Sequence, residues 1–223
     1  MANGTIAVSQ LEILTQSGTG IITVVPPTTN TNRTLTLPDA TTTVVGTDAT
    51  QTLTNKTLST GLVMGASAIT SGTVQTTTSG TTIDFTSIPS WVKRITVMWS
   101  QVSTNGSSVP QIQIGSGSVD TTGYLSGSGF ITTAAGVAVT TATSGFIIYS
   151  NNAGASLSGS IVLSLLGSNI WVAQGIIFQA TSTANVAQTA GTKTLSGTLD
   201  RVRLTTVNGT DTFDAGSINI LYE

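Results

Sequence analysis

In the later part of this chain, apolar residues recur at every second position. Val92 to Val102 (VKRITVMWSQV) sets Ile95, Val97 and Trp99 on one side and Arg94, Thr96 and Ser100 largely on the other. A period of two belongs to a pleated strand with one buried face. The same reading extends to Ile112/Ile114, Val137/Val139, Phe146 to Tyr149, Ile161 to Leu165, Ile170 to Phe178, Val202/Leu204 and Ile218/Ile220/Tyr222. Turn-forming pairs separate them: Asn105-Gly106, Asn151-Asn152, Ser168-Asn169 and Asn208-Gly209. About eight or nine strands with no helical stretch among them predict an all-β fold, a sandwich of jelly-roll type over 81–223. Ile161 to Ala180 is uncharged and long enough to cross a bilayer. Ser164, Ser168, Asn169, Gln174 and Gln179 interrupt it, however, and no basic flank would orient it. It is predicted as two buried strands joined in a hairpin, with no membrane insertion.

Before Thr81 the pattern dissolves. Residues 1–58 read as an extended N-terminal attachment arm. Its apolar pulses (Ile6 and Val8, Leu11 and Ile13, Ile21, Val24 and Val25) are broken by Gly18, Gly20 and Pro26-Pro27, which predicts short strands interrupted by turns. Residues 59–80, rich in Gly, Ala, Ser and Thr, read as a hinge or stalk. Leu35 to Leu58, LTLPDATTTVVGTDATQTLTNKTL, has Thr at almost every other position and few bulky side chains. Such a segment cannot offset an ordering entropy of about 1–2 kcal/mol per residue by burial. Threonine is β-branched and favours extended backbone, so the tract is expected to order against copies of itself or a larger partner.

Composition sharpens this picture. Charged residues make up 7% of the chain, against about a quarter in an ordinary soluble domain. A neutral, hydroxyl-rich surface suits a protein packed into an assembly better than a free monomer that relies on charge for solubility. The net charge of −2 and the lack of a basic cluster exclude nucleic-acid binding, and Arg201 and Arg203 read as the solvated face of one strand. There is no cysteine, hence no disulfide framework, and stability is expected to come from pairing, burial and oligomerisation. Met1-Ala2-Asn3-Gly4 carries no secretory signature, which predicts synthesis in a cytoplasm.

The tract LPD-A-T-x-T-x-VG-T-D-x-T-Q-T-LTNKTL, with the upstream TQSGTGIITVVPP, resembles the linker and attachment segment of bacteriophage virion appendages: tail fibres, head fibres and capsid decoration proteins. The block GTTIDFTSIPSWVKRITV, Gly123-Tyr124 and the closing SINILYE are similar to a C-terminal domain of phage structural proteins. The resemblance implies a virion surface protein made in the host cytoplasm. It would be a homotrimer docked by its arm onto the major capsid protein or tail components, with the sandwich outward. A capsid decoration, cement or head-fibre role is preferred because one domain on a short arm suits a knob on a shell. The alternative is a tail fibre that recognises a host surface glycan.

Candidate chemistry is sparse. With no His or Cys, a Ser-His-Asp triad, a Cys-His pair and His- or Cys-ligated zinc are excluded. Gly115-Ser116-Gly117 and Gly127-Ser128-Gly129 open no helix and precede no Lys, so they are not phosphate loops. Carboxylate chemistry would draw on Asp84, Asp120, Asp200, Asp211, Asp214, Glu12 and Glu223. Asp211 and Asp214 follow an Asn-Gly turn and read as turn chemistry rather than as a calcium site or a catalytic pair. The chain is therefore expected to be non-enzymatic, with no catalytic, cofactor or metal residues. Trp91, Trp99, Trp171 and Tyr124 could stack a sugar. Trp99 and Trp171 sit on alternating strands and are expected in the core, whereas Tyr124, in the glycine-rich stretch Gly115 to Gly129, is expected to be exposed. The sequons at Asn3, Asn32, Asn55, Asn105 and Asn208 read as chance in so Thr-rich a chain.

Overall fold

A computed structural model describes residues 69–132, 137–150, 152–181 and 184–223, together with two strands in the arm. The Leu35 to Leu58 tract lies outside the described residues. The chain divides into two units, Met1–Thr60 and Gly61–Glu223. In the first, β1 (Leu11–Leu14) pairs antiparallel with β2 (Ile21–Val24), short strands as the apolar pulses predict.

The second unit is all-β among its described residues. Its strands are β3 (Thr70–Ser71), β4 (Gln75–Thr76), β5 (Thr82–Phe85), β6 (Arg94–Thr104), β7 (Pro110–Ser116), β8 (Ser118–Val119) and β9 (Tyr124–Thr132). There follow β10 (Val137–Ala142), β11 (Phe146–Ile147), β12 (Ser156–Gly167), β13 (Ile170–Ala180), β14 (Asn185–Thr194), β15 (Arg201–Thr206) and β16 (Phe213–Tyr222). They form two antiparallel sheets. The large sheet runs β10-β9-β14-β13-β12-β6-β16-β3, with β4 also on β16; the small sheet runs β11-β7-β15-β5, with β8 on β7.

One core lies between the sheets. Ile95, Val97 and Trp99 of β6, Ile161 and Leu163 of β12, and Trp171 of β13 meet Ile112 and Ile114 of β7 and Val202 and Leu204 of β15. Trp99 and Trp171 are buried, as the alternation of their strands predicts. The uncharged run Ile161 to Ala180 is the β12–β13 hairpin. Ser168 (φ 47°) and Asn169 (φ 60°) both take positive φ at its tip, the signature of a two-residue type I′ turn. Across β6 and β16 the ladder bulges. Gln101 holds φ 54° opposite Gly216, where any Cβ would collide with the Gln101 backbone, so the sheet bends there around a glycine.

Several features differ from the sequence reading. Pairing begins before Thr81: β3 and β4, inside the stretch read as a hinge, add to β16, and Gly72 N–H donates to the Ile220 carbonyl at 2.8 Å. The glycine-rich stretch Gly115 to Gly129 is largely strand. On β9, Gly127 and Gly129 are held by pairing with β14 on one side and β10 on the other. Hydrogen bonds from both flanks supply the order that side-chain packing does not.

Candidate interaction surface

β9 and β14 keep a strand's period of two but reverse its usual polarity. Inward-facing positions of β9 are Tyr124, Ser126 and Ser128, all buried, while Leu125 and Ile131 point out and are exposed. Inward on β14 lie Asn185, Ala187, Thr189 and Lys193. The buried hydroxyls meet the Phe146 to Tyr149 segment opposite, whose Ile148 N–H bonds the Pro110 carbonyl while its Ile147 and Tyr149 N–H groups face β9. Ile147 N–H donates to Ser126 Oγ (3.1 Å) and Tyr149 N–H to Ser128 Oγ (2.9 Å), while Thr189 Oγ1 donates to the Ile147 carbonyl (2.8 Å). Buried backbone groups left unpaired would each cost about 1–3 kcal/mol. The serines and threonines here join one sheet to the other.

Tyr124 belongs to this inner network, which corrects its expected exposure. Its phenol accepts from Ile114 N–H (2.7 Å) and donates toward the Asp120 carbonyl (3.0 Å). Its ring stands edge-on to Phe146, with centroids 5.0 Å apart, and burial pushes its pKa above the ordinary tyrosine value. Tyr124 opens β9 with an inward-pointing side chain, so the core claims it. Lys193 lies 5.2 Å over the ring and binds Asp120 (2.8 Å) and the Thr122 carbonyl (2.9 Å).

The outward face of the large sheet is the unusual surface. Across β9, β10, β12, β13 and β14 the only charged residue is Lys193, and it points inward. Outward stand Val139 (78% exposed) and Leu125 (74%), with Ile131, Val172, Ile176 and Phe178. Between them lies an open trough of about 960 Å³ over Gly127, Gly129, Gln174, Gln188, Ala190 and Ser160. Its floor is low because glycine, alanine and serine project little. The small sheet shows the opposite face: Arg203 grips its cross-strand partner Asp84 through two hydrogen bonds (2.7 and 2.8 Å), and Gln113 Nε2 donates to the Ser144 carbonyl (2.9 Å).

Five of the seven acids considered for chemistry are spoken for by other groups. Asp84 pairs with Arg203, Asp120 with Lys193, Asp200 with Arg201 and Glu223 with Arg94. The hydrogen bond from Arg201 holds the Asp200 carboxyl below its usual range. Asp211 accepts from Ser108 N–H (2.8 Å) and Asn208 Nδ2 (2.6 Å), while Asn208 Oδ1 accepts from Thr210 N–H (3.0 Å), which is turn chemistry. The Asp211 carboxylate fills the space where a Cβ on Gly106 would stand, so Gly106 is fixed by close approach. Asp214 is exposed on β16. Glu12 lies on β1, in the other unit. Among the described residues no three His, Cys, Asp or Glu side chains gather as a metal site, and no helix is long and apolar enough to cross a membrane.

Trp91 is exposed (53%), and its ring lies 5.8 Å from that of Tyr222 at a 47° tilt. Arg94 and Glu223 form their ion pair at 2.9 Å at the same end of β6 and β16. No family model, curated protein or solved structure matches the chain.

Proposed function

We propose that this chain is a non-enzymatic structural protein of a bacteriophage particle. It works as a homotrimeric capsid decoration, cement or head-fibre protein, attached through residues 1–58, with a jelly-roll-type sandwich outward. The observation that carries this reading is the uncharged outer face of β9, β10, β12, β13 and β14 in the large sheet, with Val139, Leu125, Ile131 and Ile176 in water on a domain that has a separate core. Ile131, Val139 and Ile176 line one trough, and contiguous exposed apolar surface is characteristic of faces covered in an assembly. The resemblance of Leu35 to Leu58 to phage attachment segments supplies the particle. A jelly-roll-type connection is supported by the way the chain changes sheets, from β4 to β5, β5 to β6, β6 to β7, β8 to β9, β10 to β11, β11 to β12, β14 to β15 and β15 to β16.

A second reading, a tail fibre that binds a host surface glycan, is favoured by Trp91 and Tyr222. The exposed Trp91 ring, backed by the half-buried Tyr222 and beside an Arg–Glu pair, offers a ring face and hydrogen-bonding groups to a sugar. Immunogold labelling of intact virions with antibody to 81–223 separates the two. Gold over the shell is the expected result; gold confined to the tail end favours the fibre, and absence of gold sinks the virion assignment.

A further inference from the structure

We propose that the open edge of β10 is a homotypic pairing site, at which two copies of this chain, from neighbouring trimers rather than from one, join their large sheets strand to strand. The proposal names a partner for the sheet edge that adjoins the neutral face described above, and in that sense rests on the assembly reading.

The other edges of the second unit's two sheets are protected. β3, β4, β8 and β11 are two residues long, too short to template a partner. β5 is four residues long, carries the Asp84–Arg203 ion pair, and has its Asp84 carbonyl capped by Gln75 Nε2 at 2.6 Å. β10 has none of these devices. Its six residues, VAVTTA, include no charge, no proline and no glycine. Among the described residues β9 is its sole sheet neighbour. Half the N–H and C=O groups of such an edge point away from the sheet. Natural edges of this length and composition normally carry a lysine, a proline or a bulge. Val139 adds apolar surface at the same place, since its cross-strand partner is Gly129, which has no side chain to cover it.

A second copy fits this edge better than a charged partner. Neither β10 nor the adjoining outer face presents a charge to complement, and a second copy brings an equally neutral, β-branched edge. A closed pairing of identical edges is antiparallel about a two-fold axis. With the axis normal to the sheet, the two outer faces stay on the same side. The register must then keep outward residues opposite outward residues, since a slip of one would set them against inward ones. Centring on Val139 meets this condition: Val139 stands opposite the partner subunit's Val139, and Val137 opposite the partner's Thr141. The two troughs then lie on one continuous uncharged surface. Six paired residues bury less than the roughly 1,200 Å² of a stand-alone complex. The contact is therefore weak between free copies and strengthens where they are held side by side, through their raised effective concentration.

Disulfide trapping reads weak contacts of this kind. The chain has no cysteine, so Val139→Cys in the full-length protein introduces a lone thiol. Directly opposed residues of an antiparallel pair have Cα atoms about 4.5–5.5 Å apart, within disulfide reach. Leu166→Cys, at an equally exposed site (73%) beside the β12–β13 turn, is the collision control. Under mild oxidation of purified protein, V139C is expected to form covalent dimer at roughly tenfold the control's initial rate. Adding Thr141→Lys to V139C should bring that rate down to the control's. Equal rates for V139C and L166C, or a V139C rate that T141K leaves unchanged, would overturn the proposal. The trapping needs no virion, so it can fail while the immunogold result stands, and the reverse.

Discussion

β6 and β9 lie in the same sheet and follow the same two-residue period, yet they put opposite chemistry on their two faces. β6 turns Ile95, Val97 and Trp99 into the core and shows Arg94, Thr96 and Ser100 to water. β9 turns Tyr124, Ser126 and Ser128 inward and shows Leu125 and Ile131. The first arrangement folds a protein by burial of apolar area, at about 25 cal/mol per Å². The second spends no aliphatic side chain on folding at those outer positions. Its inner face is held by hydrogen bonds to the Phe146 to Tyr149 segment, and its outer apolar residues are left for something else to cover. Stability and assembly are thus assigned to different strands of one sheet.

The largest effect that tests this division is a pair of substitutions. Leu163→Ala, at a fully buried site on β12, should cost about 2–5 kcal/mol in denaturant unfolding. Ile176→Ser, on the outer face of neighbouring β13, should stay within about 0.5 kcal/mol of wild type. If I176S costs as much as L163A, the two faces do not differ in the way described.

Next comes the hydroxyl seam. Thr189→Val preserves shape but removes the donor to the Ile147 carbonyl, and should cost about 1–3 kcal/mol, well above an ordinary surface change. A neutral result would show that the seam is not what ties β14 to the opposite sheet.

Tyr124 gives a pH signature. Burial raises its folded pKa, so the unfolded chain ionises first, from the ordinary value near 10. Between that pH and the higher folded value, the folded state holds the proton more tightly. Stability should therefore be intact below about pH 10 and fall as pH rises beyond it. Tyr124→Phe should be less stable at neutral pH, because Ile114 N–H loses its acceptor, and its alkaline decline should be shallower. Equal alkaline slopes by urea titration would contradict the buried phenol.

A small change in stability is expected at the trough floor. A Cβ at Gly127 meets nothing nearer than the Thr140 carbonyl at 3.7 Å, so Gly127→Val should fold with less than about 1 kcal/mol of change while filling the trough. Loss of binding to the particle with an unaltered melt is the expected outcome; unaltered binding would show that the trough is not used.

What could be read from the residues follows the same division. The β6 strand, the core placement of Trp99 and Trp171 and the hairpin around Ser168-Asn169 were legible, because apolar alternation and turn chemistry agree there. The turn role of Asp211 was legible for the same local reason. β14 (NVAQTAGTKT) and most of β9 (YLSGSGFIT) were not, since their buried positions carry hydroxyls and their glycines look like loop. Tyr124 was misplaced with them. β3 and β4 carry too few residues for any period and are strands because β16 offers them an edge. The uncharged outer face was foreshadowed by the scarcity of charge, but its location depends on which side of each strand the core takes, and only tertiary pairing decides that.

The most direct test of the central claim is one experiment on the full-length Val139→Lys/Ile176→Lys variant, reading association by sedimentation up to high protein concentration, where a weak contact between free copies is populated, and stability by thermal melt. The account predicts a melt close to wild type with association lost, because both lysines enter a face that folding does not use. A collapse of the melt comparable to that of L163A, or sedimentation identical to wild type, would contradict it.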